Sequence, residues 1–209
     1  DDDAADDDDA TPAIDADGDG YFQNTDCDDG DPAIHPGSTA QVDGVDSDCD
    51  GRRDWLVDVW ISGDDAFEFC IDDEDVVLGS GQNWPTGFHF QEWRATGIHA
   101  IGIQGWDLGQ VITAAIAHVQ ISDGSQWVSD ATWRYDPNPA AAPDDRAGWC
   151  SPAFDDSGWD LVNVIGPIGT APWGNAPSAF PAGSPANWIW DHFPVNLNTQ
   201  YLRKNFVLP

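Results

Sequence analysis

Residues Asp15 to Asp26 read DADGDGYFQNTD, four aspartates and two glycines with no positive charge among them. Carboxylates packed this closely repel one another, so the segment cannot become compact until something cationic joins it. The same holds over a longer stretch, because 19 of the 38 acidic residues fall within residues 1–54 and the whole chain carries a formal charge of −31. Only Glu68, Glu74 and Glu92 among the acids are Glu. Asp has the short stem that suits turns and local chelation, so the skew points to loops that hold hard cations. Nucleic acid, an anionic membrane surface and acidic polymers are poor partners for a chain of this charge. No apolar run is long enough to span a membrane.

Numbered from Asp15, the stretch follows the pattern of a calcium loop. Asp15, Asp17 and Asp19 occupy positions 1, 3 and 5, and Gly20 stands at the sharp turn. Tyr21 at position 7 would offer its carbonyl, Phe22 is an apolar anchor, and Asp26 stands at position 12 in place of the usual Glu. A second, partial loop begins DSDCDG, with Asp46, Asp48, Asp50 and Gly51 in the same spacing. Its twelfth position is Val57, which cannot ligate, so its missing oxygens are sought in DCDDGD, from Asp28, Asp29 or Asp31. Two calcium ions are therefore expected. Cys27 lies in the first acidic cluster and Cys49 in the second. A Cys27–Cys49 disulfide would join the clusters, close a loop of about 20 residues and contribute roughly 3 kcal/mol on a chain-entropy argument.

The run from DADGDGYF to DSDCDG resembles the acidic metal-binding repeat of the MopE type, found in secreted and surface proteins of myxobacteria and related marine bacteria. It is similar in logic to thrombospondin type 3 and dockerin calcium loops. The resemblance implies calcium binding outside the cell and no catalysis. Gln41 departs from it, where many relatives have Glu after the Pro-Gly segment. Four Cys, no Met and a single Lys agree with an exported chain, extracellular or at the cell surface.

From Trp55 the texture changes. VDVWIS, AFEFCI, HAIGIQGW, AAIAHVQIS and YLRKNFVLP alternate apolar and polar residues or are short β-rich runs, separated by Gly, Pro, Asn and Asp clusters. The chain is therefore expected to be all-β. It would comprise an acidic tail or spacer over 1–13, a small loop-rich calcium module over 14–54, and a jelly-roll β-sandwich over 55–209 with long loops at 80–97, 134–150 and 166–187. Gln110 to Ala117 reads as a short helix or as the entry to a strand.

Several stretches of this second part resemble the galactose-binding-like jelly roll that accompanies bacterial glycoside hydrolases, including rhamnosidase accessory domains. They are ISGDDAFEFCIDDEDVVLGSGQNW, GIHAIGIQGWDLG, FDDSGWDLVNVIGPIGTAPWG and ANWIWDHFPVNLNTQYLRKNFVLP. In that family the last segment comes first, so the domain reads as circularly permuted, or as lending its final strands to a neighbouring copy. Cys70 and Cys150 are expected to pair, with Cys49–Cys70 the other connectivity. Of the 12 Trp, those at 60, 106, 127, 133, 159, 188 and 190 are expected in the core. Trp84, Trp93 and Trp173 lie in Gly/Pro loops and are candidates to stack on a sugar.

The five His show no close metal-ligand spacing, and GxSxG, a P-loop and GxGxxG are absent. No enzyme is expected. The functions left are an extracellular calcium-binding structural or adhesion protein, self-assembling as a surface or fibre subunit, and a lectin-like carbohydrate-binding module. The partners these imply are calcium, a second copy of the chain, or a glycan.

Overall fold

The computed structural model describes residues 14–39, 41–73, 77–109, 112–138, 147–191 and 199–209. The acidic stretch 1–13, His192 and residues 139–146 of the loop expected at 134–150 lie outside the described residues. The chain divides into two compact units, one ending at Asp54 and the other Trp55–Pro209.

The described residues of the first unit form turns, with a single bridge among them, between Val45 and Asp54. Ile34 is its only buried apolar side chain among the described residues, so burial contributes little to holding it together. Polar ties do more. The Cys27–Cys49 disulfide joins the two acidic loops. The intervening spacer is bound to the second loop through His35 N–H to Ser47 O at 3.3 Å and Gly37 N–H to Asp48 O at 3.1 Å.

The second unit is a β-sandwich with no helix among the described residues. Its strands are β1 (Asp54–Asp64), β2 (Ala66–Ile71), β3 (Gly79–Gln82), β4 (Phe88–Ala95), β5 (Gly97–Trp106) and β6 (Ala114–Gln120). They continue with β7 (Gln126–Val128), β8 (Arg134–Tyr135), β9 (Asp160–Leu161), β10 (Asn163–Pro167), β11 (Asn187–Trp190) and β12 (Thr199–Leu208). One sheet runs β10-β11-β6-β1-β4, with β7 also on β6, and the other runs β3-β2-β5-β12-β8-β9. The last strand pairs with β5 from Thr199 opposite Trp106 to Leu208 opposite Gly97, so it sits in the middle of its own sheet. No helix of the described residues is long and apolar enough to cross a membrane.

Alternation decides what lies between the sheets. Val57, Val59 and Ile61 of β1, Phe67, Phe69 and Ile71 of β2, Ile101 and Ile103 of β5, and Leu202 and Phe206 of β12 form one buried core. Strand β3 inverts the usual choice of inward residues, using glycine. A Cβ on Gly79 would lie 2.2 Å from the Phe90 ring, and one on Gly81 2.3 Å from Phe88, so the two rings fill the space that β3 leaves.

The sheets also carry apolar layers on their outer faces. On the first sheet, Ala114, Ile116, Trp173, Ala186 and Trp188 pack together, with Trp84 against them. On the second, Cys70, Trp149, Cys150 and Trp159 form a layer pinned by the Cys70–Cys150 disulfide. Beneath it, fully buried Arg203 donates from Nε to Trp149 O at 2.9 Å and from Nη2 to Ser151 O at 3.0 Å, and its Nη1 meets the Asp156 carboxylate.

Two expectations change here. Residues 88–95, expected in a loop, form strand β4, whose Phe88 and Phe90 pack on the core. Trp173 is 1% exposed and stacks on Trp188 at 4.7 Å, so it anchors its loop and has no face left for a sugar.

Candidate metal centre

The first acidic loop is wound by its own side chains. Asp15 accepts from Gly18 N–H at 2.7 Å and from Gly20 N–H at 3.1 Å, and Asp19 accepts from Tyr21 N–H at 2.8 Å. Gly18 and Gly20 both lie at positive φ, 82° and 100°, which the tight winding requires. The result brings one carboxylate oxygen each from Asp15, Asp17 and Asp19 within 4.8 Å of one another. Asp17 also shares such a group with Asp26 and Asp29. The Asp17 carboxyl is pushed up from its ordinary pKa, first by removal from water and then by the charges of Asp19, Asp26 and Asp15, against a lowering backbone hydrogen bond.

Three oxygens in this loop are buried with no hydrogen-bond partner: one Oδ2 each of Asp17, Asp19 and Asp26. A buried carboxylate oxygen without a donor is costly, and three in one loop are costlier still. A cation ligated by these oxygens would satisfy all three, and the all-oxygen donor set fits a hard divalent ion.

The second loop repeats the first in its hydrogen bonds. Asp46 accepts from Gly51 N–H at 2.9 Å as Asp15 does from Gly20, and Asp50 accepts from Arg52 N–H at 2.8 Å as Asp19 does from Tyr21. Cys49 takes the place of Gly18 and lies at φ 57°, so the disulfide partner holds the left-handed position that glycine holds in the first loop. Asp46, Asp48 and Asp50 again bring carboxylate oxygens within 4.8 Å of one another.

The DCDDGD stretch distributes its acids differently from the sequence expectation. Asp29 joins the first loop, where its Oδ1 accepts from Ala16 N–H at 3.0 Å. Asp31 instead caps a turn by accepting from Ala33 N–H at 3.1 Å, and Asp28 contributes its N–H to Asp26 at 2.9 Å. Neither carboxylate belongs to a group of close ligand oxygens among the described residues. Asp54, which the sequence reading did not name, is in no such group either, but it lies near enough to the second loop to feel its charge. Its carboxyl is pushed up by partial burial first and then by the charges of Asp48, Asp50 and Asp46. Counting from Asp46, it stands at position 9, a ligand position in the standard loop.

Tyr21 turns its ring onto His35, stacked at 4.7 Å and 9°, which braces the first loop against the spacer. The two remaining sugar candidates lie elsewhere: Trp84 packs against the outer apolar layer of the first sheet, and Trp93 is half-buried on β4.

Residues 26–54 match a family model of the MopE copper-binding type, described as a "Putative metal-binding motif". Over 95 residues, 45% of its length, the chain is 35% identical to an α-L-rhamnosidase of Streptomyces avermitilis. It spans only 8% of that relative. Among solved structures it resembles a lectin from Pleurotus ostreatus in complex with GalNAc, at 22% identity and a TM-score of 0.43, covering 61% of this chain and 37% of that one. The apo form of the Pleurotus ostreatus lectin gives 24% identity and a TM-score of 0.46, covering 63% of this chain and 39% of the lectin.

Proposed function

We propose that residues 14–54 are a calcium-binding module and that the chain is an extracellular structural or adhesion protein without catalytic activity. One ion would sit among Asp15, Asp17, Asp19, Asp26 and Asp29, and a second among Asp46, Asp48, Asp50 and Asp54. The observation that carries this is the set of three buried, partnerless carboxylate oxygens on Asp17, Asp19 and Asp26. Calcium is preferred over copper because the clustered donors are carboxylate oxygens and both nearby sulfurs are tied up in a disulfide. The two disulfides support a place outside the cell. Calorimetric titration of the chelator-stripped chain with Ca²⁺ and separately with Cu²⁺ tests the assignment. Two saturable calcium sites are expected; copper binding with no calcium heat would overturn it.

A second reading gives the sandwich a carbohydrate ligand. It is supported by the partial likeness to an α-L-rhamnosidase, an enzyme named for its action on rhamnosides. It is supported also by an open cleft on the second sheet, lined by Trp106 and Leu108 together with Glu68, Ser80 and Gln82.

A further inference from the structure

We infer that a neutral saccharide binds on the outer face of the second sheet, at the corner where β3, β2 and β5 run side by side. This rests on the carbohydrate-binding reading and locates its site. In antiparallel strands, residues directly opposite one another point to the same face. The registers place Gln82, Ala66 and Trp106 in one row across the three strands, and Ser80, Glu68 and Gln104 in the next. Their neighbours Phe67, Phe69 and Ile103 point into the core, so both rows face outward. Ala66 is the short residue between Gln82 and Trp106, and it leaves a hollow walled by the indole. The resulting cleft has a volume of about 480 Å³, with Leu108 at its rim. That is within the range of small-ligand sites.

The rest of this face is roofed. In the row after Glu68 and Gln104, Cys70 is opposite Gly102, and Trp149 lies over them with Cys150. The corner at Trp106 is left open, and its polar groups are uncommitted. No hydrogen bond among the described residues engages the Glu68 carboxylate, the Ser80 hydroxyl, the Gln82 amide or the Trp106 indole N–H, and the Trp106 ring has no ring partner. By contrast, the Gln104 amide is already held by the Tyr201 hydroxyl at 3.0 Å.

The half-buried Trp106 indole, flanked by a carboxylate, an amide and a hydroxyl, suits a pyranose: the sugar's C–H face lies on the ring and its hydroxyls meet the polar groups. No cationic side chain lines the cleft, and the chain carries a net charge of −31, so acidic sugars are disfavoured.

The test uses the full chain in millimolar calcium against an immobilised panel of neutral oligosaccharides that includes α-L-rhamnosides. Wild type is expected to bind at least one. Trp106→Ala and Gln82→Ala are each expected to weaken that binding about tenfold or more, with Leu161→Ala, on exposed β9, as an unchanged control. Gln82 is exposed, so its variant reports on the site even if the Trp106 variant misfolds. Wild-type binding that neither variant weakens would overturn this location and leave the carbohydrate reading standing. No binding by wild type to any member of the panel would overturn both.

Discussion

Asp26 is the residue on which the first loop closes. It is 8% exposed, one of its oxygens is partnerless, and it shares a ligand group with Asp17 and Asp29. Asp26→Asn keeps the shape and removes the charge, so calcium affinity at one site should fall about tenfold or more. Asp31→Asn, which touches only a turn N–H, should leave it within about twofold; calorimetric titration separates the two. A different acid sets a pH dependence in the sandwich. Asp64 is pushed up to about 6, first by burial and then by the charges of Asp65 and Asp107, although Trp173 Nε1–H donates to it at 2.8 Å. Its folded pKa lies above its ordinary value, so the folded state holds the proton more tightly. The stability this gives is fully present below about pH 4 and is lost as pH rises through about 6. Asp64→Asn has no such proton to lose. Its melting temperature relative to wild type should therefore climb between pH 4 and 7, and a flat difference would refute the assignment.

At the scale of elements, the strands legible in the sequence are those whose inward residues are apolar. β1 and β2 announce themselves by Val, Ile and Phe at every second position, and β5, β6 and β12 by short apolar or alternating runs. β3 does not, because its inward residues are Gly79 and Gly81 and its apolar filling is supplied by Phe88 and Phe90 of another strand. β4 alternates as FHFQ, but it follows a Pro-Thr-Gly segment that reads as a loop. Both acidic loops were visible because spacing alone defines them, whereas Asp29 joins the first loop only through the fold of the chain. The loop over the second sheet was invisible for another reason: it is held by Arg203, a buried cation with no local signature. Arg203→Lys cannot reach Trp149 O, Ser151 O and Asp156 together, so the variant should lose about 3–5 kcal/mol. For a chain of this size that is roughly 6–20 °C in melting temperature, read by near-UV circular dichroism of the Trp149–Trp159 layer.

The whole molecule joins two units stabilised by different means, and they should melt differently. The sandwich has a continuous apolar core and a disulfide that closes 80 residues, worth roughly 4–5 kcal/mol on the chain-entropy argument. The first unit has one buried apolar side chain among its described residues, a disulfide closing 22 residues, and carboxylates that oppose compaction. A ligand that binds only the folded form at a hundred times its dissociation constant adds about 2.7 kcal/mol, a large share of what so small a unit can have. Scanning calorimetry in calcium should therefore show a transition that chelator abolishes and a second that chelator leaves nearly in place. A chelator-insensitive first transition would mean that the disulfide and backbone turns suffice and that the acidic loops are ordered without metal. Sedimentation velocity under the same two conditions then asks what the ordered module is for. Large, regular species in calcium that dissolve in chelator would make the chain a calcium-dependent structural subunit. A monomer in both would remove calcium-driven assembly and leave a calcium-ordered module beside a sandwich whose open cleft at Trp106 becomes the place to look for function.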